Sequence, residues 1–350
     1  MLLGGAAAAA GGALALAPED PPDSPAPPPP VEPPSGRFAT ELDVAYFHKG
    51  NLHTHSLESD GDSLPADVYR WYRSHGYQFV ALTDHDKRID PRVYRWLERP
   101  NFKILPGEEI TMVGAGSQVH VNALCTKERI GGGGFHTKAE ALTYAIGKIE
   151  AQGGIALINH PNFDRSLNAD DLWVGRAAPL LEIMSGHPYV YSDGIDGRPS
   201  HERLWSELLT RGAMFHAVAV DDTHHLGPGT SPEKTARAGR GWIATYADRY
   251  QEVDVASTCE AIRTGRFYAS NGAAIDRLRV GDTAVTVWPE ERTARVDFRG
   301  TADEVLATVT AGAEGASFKL RGGERWVRAR VEQQDGSKAW TQPFRVVYPQ

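Results

Sequence analysis

Hydrophobic and polar positions along this chain form three textures. From residue 38 to about 277, short apolar runs alternate with amphipathic stretches. The runs predict strands over 46–53, 79–82, 103–105, 119–124, 155–158, 180–183, 213–220 and 241–246. Helices are predicted between them. In 65–75, Val68, Trp71 and Tyr72 share a face, Ser63 caps the start and Gly76 ends the helix. Stretches 137–152 and 200–211 read the same way, and Asp254 caps a further helix that runs to Thr264-Gly265. Repeated strand–helix units of this length predict a parallel sheet, and seven or eight of them predict a barrel.

From 278 to 350 the period shortens to two, with turn signals at Gly281-Asp282, Gly312, Gly322-Gly323 and Asp335-Gly336. Residues 326–331 and 344–348 alternate most clearly, which predicts a small antiparallel β-domain. Trp326 and Trp340 are expected in its core. Before residue 38 the pattern disappears. Residues 18–37 hold ten of the chain's 23 prolines, interspersed with Asp, Glu and Ser, and predict an extended linker. Residues 1–17 are Ala, Gly and Leu after Met1, without charge, ending Ala15-Leu16-Ala17. That fits the apolar region and cleavage site of a secretory signal, although no basic residues precede it and Pro18 follows. Export to a periplasm or the exterior is the expectation; a disordered Ala/Gly tail on a cytoplasmic protein is the alternative.

Composition narrows the function. Hydrophobic content of 41% and charged content of 23% are those of a soluble globular protein. A net charge of −8 without a Lys/Arg run argues against nucleic-acid and anionic-membrane partners. No stretch after the N-terminus is long and apolar enough to span a bilayer. Cys125 and Cys259 lack a C-x-x-C arrangement and sit in apolar surroundings, so two buried free thiols are expected, with no disulfide framework.

Candidate chemistry falls at the strand ends. His53 and His55 lie two apart, on one side of an extended segment, and Asp60 follows in Ser59-Asp60-Gly61. His85 stands in Thr83-Asp84-His85-Asp86, Glu109 in Gly107-Glu108-Glu109, His120 in Val119-His120-Val121, His160 in Asn159-His160-Pro161, and Asp222 and His224 follow the run 217–220. Nearly all lie at or just past the carboxyl end of a predicted strand, where barrel enzymes assemble their sites. Any one of them alone would read as a cap or a structural histidine. Six imidazoles and three carboxylates in succession instead suit a cluster of divalent zinc, manganese or iron ions sharing a bridging carboxylate. His48, His75, His136 and His201 lack that placement and read as structural or surface residues.

The ordered set His-x-His, Ser-Asp-Gly, Thr-Asp-His-Asp, Gly-x-Glu, a strand His, His-Pro and Asp-x-His resembles the polymerase-and-histidinol-phosphatase (PHP) superfamily over residues 45–270. The ending Gly265-Arg266-Phe267-Tyr268-Ala269-Ser270-Asn271-Gly272, followed by a β-domain, resembles its exported CehA/McbA-like branch, named for a carbamate hydrolase. The resemblance implies an α/β fold: a distorted (β/α)7 TIM-like barrel over 38–277 holding two or three metal ions. It implies that His53, His55, Glu109 and Asp222 hold one ion. Glu109 bridges to a second, held by His120 and His160, and Asp60, His85 and His224 hold a third. Asp221 and His225 double the Asp-x-His motif, and Glu108 precedes Glu109, so each is an alternative; the spacing favours Asp222, His224 and Glu109. Asp84 is expected to orient a ligand histidine. Lys87 and Arg88 are either anion-binding or solvated. Glu182 either lines the pocket or does not.

A water bridging two such ions becomes hydroxide near neutral pH and attacks phosphorus or a carbonyl carbon. With the third site weakly occupied, Asp60, His85 or His224 would protonate the leaving group. The expectation is therefore a metal-dependent hydrolase of small-molecule phosphomonoesters or phosphodiesters. Two alternatives stand beside it: a carbamate, amide or carboxylic-ester hydrolase using the same site, and a non-catalytic binding protein.

Overall fold

The computed structural model describes residues 36–226, 235–248 and 252–349. The segment 1–17 and all but the end of 18–37 lie outside these residues. From Pro34 onward the chain forms one compact unit. No helix among the described residues is long and apolar enough to cross a membrane.

Among the described residues the strands form three sheets. One runs in the order Lys103–Leu105, Phe79–Ala81, Phe47–Asn51, Trp242–Tyr246, Phe267–Ser270, Lys338–Thr341, Trp326–Glu332, Phe344–Val347, Arg37–Phe38. A second runs His216–Val220, Leu180–Ser185, Ile155–Ile158, Ser117–Leu124, Glu109–Gly114, Gly133–Phe135. The third joins Ala316–Lys319, Ala284–Pro289, Ile275–Val280 and Leu42–Val44.

The expected parallel pairing holds for two runs: Phe47–Asn51 with Phe79–Ala81 and Lys103–Leu105, and Ile155–Ile158 with Leu180–Ser185 and His216–Val220. Between these runs the chain departs from a strand–helix repeat. Glu109–Gly114 and Ser117–Leu124 form an antiparallel hairpin, turned at Ala115-Gly116, both with positive φ. Ser117–Leu124 then pairs antiparallel with Ile155–Ile158. The architecture is mixed α/β. The first two sheets meet through main-chain bonds at strand ends. Cys125 N donates to Pro106 O at 2.8 Å. His55 N donates to Thr223 O at 2.8 Å, and Asp222 N to His53 O at 3.0 Å.

Helices pack by their apolar faces. Pro65–Ser74 buries Val68, Tyr69 and Tyr72 against Val80, Leu82 and Ile104. Burying each side chain of this size contributes on the order of 2 kcal/mol. Its N-terminus differs from expectation: Leu64 holds the cap position without a side-chain bond, while the Ser63 hydroxyl donates to Asp62. Pro65 has no N–H to satisfy, so the cap is less needed. Lys138–Ala151 carries a capping box from Thr137 and Glu140, Ser200 caps His201–Arg211, and Asp254 caps Val255–Arg263.

The strands after residue 275 are antiparallel, as the alternation predicts. The amino-terminal strands Arg37–Phe38 and Leu42–Val44, absent from the predicted set, pair with Phe344–Val347 and Ile275–Val280. Trp326 and Trp340 are buried against Leu204, Trp205 and Phe215, beneath the His201–Arg211 helix, rather than within the β-strand core. Arg328, fully buried beside them, donates to Glu202, Ser206 and Asp303 at 2.9 Å.

One expectation is overturned outright. Cys125 and Cys259 are joined in a disulfide, Cα to Cα 6.3 Å, across 134 residues of sequence. The two cysteines meet because Leu124 and Ile262 share one apolar cluster, with Cys125 and Cys259 packed at its margin. Local spacing carries no trace of such a contact.

Candidate metal centre

Site geometry starts from the segment after Phe47–Asn51. Asn51 Nδ2 donates to His53 O at 2.8 Å and to the Tyr72 hydroxyl at 2.9 Å, which fixes the exit of the strand. Leu52 points into the core and leaves His53 and His55 on the opposite side, with their Nε2 atoms 3.2 Å apart. The chain then turns tightly: Gly61 N bonds Ser56 O at 2.9 Å, and a Cβ at Gly61 would lie 2.8 Å from the His55 main chain. Asp84 holds this turn. Its carboxylate accepts from Ser56 N and Oγ at 2.8 Å and from Ser59 Oγ at 2.7 Å. Asp84 therefore positions the loop bearing Asp60 rather than a histidine directly, because the Ser56 and Ser59 groups lie between them.

Glu109 is the hub. Its buried Oε2 lies 3.1 Å from His53 Nε2, 3.2 Å from His55 Nε2 and 3.2 Å from His85 Nδ1. Its Oε1 lies 3.0 Å from His120 Nδ1 and 3.3 Å from His160 Nε2, and accepts from Asn159 Nδ2 at 2.8 Å. Asp222 Oδ1 stands 3.3 Å from both His53 Nε2 and His55 Nε2. At the mouth, half-exposed Asp60 reaches His55 Nδ1 at 3.4 Å, His224 Nε2 at 3.3 Å and His85 Nε2 at 3.6 Å. All nine expected residues come together, in overlapping groups whose donor atoms lie within 4.8 Å of one another. His55 and His85 stand between groups: each faces Glu109 with one ring nitrogen and Asp60 with the other.

The doubled positions separate cleanly. Asp221 points away from the cluster and accepts from the Tyr72 hydroxyl at 2.8 Å, Arg240 N at 2.6 Å and Gly241 N at 2.8 Å. Asp222 faces the histidines, and its main chain adopts φ of 50°, an uncommon conformation for a residue with a Cβ. Glu108 accepts from Ile130 N and Gly131 N, and His225 lies 3.8 Å from Asp62. Lys87 and Arg88 do not turn to the cluster: Lys87 pairs with Glu58 at 3.6 Å, and Arg88 donates to Thr126 O at 3.1 Å. His48 and His201 are buried away from it.

Charge is balanced within the cluster. Burial opposes ionisation of Glu109, yet His53, His85 and His120 hold its carboxyl well below the usual range. Burial likewise opposes ionisation of Asp222, and His53 and His55 hold it low. Burial would keep His53 neutral, but Asp222 and Glu109 raise its pKa well above an ordinary histidine's. Against the same burial effect, Glu109 and Asp60 raise His85 to about 9, and Asp60 and Asp222 raise His224. His120 is lowered by burial, which outweighs Glu109.

Two participants escaped the sequence reading. His187 stacks edge-on to His224, centroids 5.2 Å apart, and burial pushes its pKa down to about 4. Phe163 covers His160 and His120 at 5.2 and 5.9 Å. The strand-end rule would have caught His187, which follows Leu180–Ser185 in Gly186-His187-Pro188. A cavity of about 690 Å³ opens beside the cluster, lined by Ser185, His187, Tyr191, Arg240, Lys338 and Trp340 among others. Ser185 on its wall lies with Oγ 3.5 Å from Asp222 Oδ2.

No protein-family model and no curated protein matches this chain. Among solved structures, it is similar to a two-domain protein from Bacteroides vulgatus containing a predicted PHP-like metal-dependent phosphoesterase. That likeness has 14% identity and a TM-score of 0.45, and covers 89% of this chain and 98% of that one. It is also similar to an amidohydrolase from Chromobacterium violaceum with bound sulfate and no metal, at 16% identity and a TM-score of 0.40, covering 53% of this chain and 93% of that one.

Proposed function

We propose that this protein is a metal-dependent hydrolase of phosphoester substrates, with a di- or trinuclear centre, in the PHP superfamily. Glu109 carries the reading: one buried carboxylate divides five imidazoles between its two oxygens, three on Oε2 and two on Oε1. Ring nitrogens and carboxylate oxygens this close present lone pairs that protons satisfy poorly and zinc, manganese or iron satisfy well. His53, His55, Glu109 and Asp222 would hold one ion, with His120 and His160 completing a second around Glu109. Asp60, His85 and His224 would hold a third. Bound there, the ions supply an activated water at neutral pH and neutralise charge developing on substrate oxygens.

The chain's own groups do the rest. Where that third site is weakly occupied, His85 and His224 at the mouth would instead protonate a leaving group, while Asp60 aligns both rings. The adjoining cavity takes the remainder of the substrate. The main-chain ties at 106–125 and 53–223 support treating seven strands as one distorted barrel. These are Phe47–Asn51, Phe79–Ala81, Lys103–Leu105, Ser117–Leu124, Ile155–Ile158, Leu180–Ser185 and His216–Val220. The disulfide suits an oxidising compartment, which supports export and the CehA/McbA-like branch.

The test is metal content of the purified protein, followed by turnover of p-nitrophenyl phosphate, its bis ester, an acyl ester and an aryl carbamate. His53→Ala and His55→Ala should lose metal and activity together. Full metal in both variants would sink the site assignment. Turnover of the carbamate or acyl ester alone would move the protein to the amide-and-ester class, and full metal without any turnover would make it a binding protein.

A further inference from the structure

Glu182 lies outside the nine clustered residues, on Leu180–Ser185, and is completely buried. The ladder to His216–Val220 slips register between Glu182 and Met184. Irregularities of this kind re-aim a side chain and recur beside active sites. Here the result is a carboxylate behind the cluster, with Oε2 3.2 Å from His53 Nδ1. The other face of the same ring presents Nε2 to Glu109 and Asp222. Glu182 Oε1 is buried without a hydrogen-bond partner, so the carboxylate directs its hydrogen bonding to His53 alone. Burial raises the pKa of Glu182 against His53 and His160, which lower it, and Asp222 adds to the rise.

We propose that Glu182 is a positioning residue for the metal centre. It holds His53 as the tautomer protonated on Nδ1, with the Nε2 lone pair aimed between Glu109 and Asp222, and its buried negative charge is matched by the cation that His53 binds. The proposal rests on the metal-centre reading above. A carboxylate behind a ligand imidazole raises its basicity and fixes its orientation, and losing such a partner typically lowers metal affinity 10- to 100-fold. A carboxylate kept only for packing would behave differently, because its isosteric amide would fill the same space.

The experiment titrates Zn2+, and separately Mn2+, into metal-free wild type, Glu182→Gln and Glu182→Ala by chelator competition, and records melting temperature in chelator. Glu182→Ala should bind Zn2+ about 10- to 100-fold more weakly than wild type. Glu182→Gln keeps an acceptor oxygen for Nδ1–H and should recover part of that loss. Its metal-free form should melt no lower than wild type, since a buried charge is gone. 15N NMR should place the His53 proton on Nδ1 in wild type and redistribute it in Glu182→Ala. Zn2+ affinity within twofold of wild type in Glu182→Ala would overturn the proposal, as would a metal-free Glu182→Gln that melts lower with affinity unchanged. Wild type that binds neither ion would overturn the metal-centre reading itself.

Discussion

Replacing Cys259 with serine removes the cross-link that closes 134 residues of chain. In the chain-entropy account, a closed loop of that length destabilises the denatured ensemble by about 5 kcal/mol. Both sulfurs are only partly buried, at the margin of the core formed by Leu124, Ile155 and Ile262, so the packing lost with one sulfur is a smaller effect. Unfolding entropy of about 2.1 cal/mol/K per residue, applied to the unit Pro34–Gln350, converts the loss to a fall of about 8 °C in melting temperature. Calorimetry on wild type, Cys259→Ser and Cys125→Ser/Cys259→Ser would measure it, with the single and double variants expected to agree. Metal content at 25 °C should be unchanged, because the ligands are held by separate main-chain and side-chain bonds. Two thiols that alkylate in unreduced, denatured wild type would show that no bridge forms. A bridge proven by mass, with variants melting within about 2 °C of wild type, would refute the entropic reasoning.

Three further outcomes are expected. Arg328→Met removes the fully buried partner of Glu202, Ser206 and Asp303, while Arg330 and Arg299 still pair with the two carboxylates, and should destabilise by about 1.5–3 kcal/mol in urea denaturation; no measurable change would contradict the account of that network. Asp221→Ala should lower stability yet leave metal binding, whereas Asp222→Ala should fold and lose metal; the reverse pattern would exchange their roles. The metal-free protein should lose stability as pH rises. His85 has its pKa raised to about 9, against burial, by Glu109 and Asp60, so its contribution is complete below about 6.5 and disappears as pH passes 9. Melting temperature in chelator should fall across that window, while metal affinity, which competes with the same protons, should rise. A flat melting profile would refute the coupling.

That these histidines and carboxylates come together was readable where their spacing is local. The two-residue interval puts His53 and His55 on one side of an extended segment, and the Gly-x-Glu interval selects Glu109 over Glu108. The first depends only on main-chain geometry next to the residue; the second is the interval of the family that the sequence resembles. The antiparallel hairpin at 109–124 was not readable, because Ile110-Thr111-Met112-Val113 follows the candidate ligand directly and merges with the strand end before it. The Cys125–Cys259 contact and the bond from Glu182 to His53 span 134 and 129 residues, and no local pattern encodes either. The Ser63 cap failed for a different reason: the helix starts at Pro65, so the cap position falls on Leu64 and the Ser63 hydroxyl turns to Asp62.

Arg37 and Phe38 pair antiparallel with Val347 and Val346, so the first and last strands among the described residues are neighbours in one sheet. Mechanically, this is a zipper fastened at its open end. Tension applied between the two ends loads the first hydrogen bond alone, then the next, and the pair peels apart at low force instead of shearing as a block. Topologically, the same adjacency lets a short peptide join residue 349 to residue 36 while new ends are cut elsewhere, for instance in the turn at Gly322-Gly323.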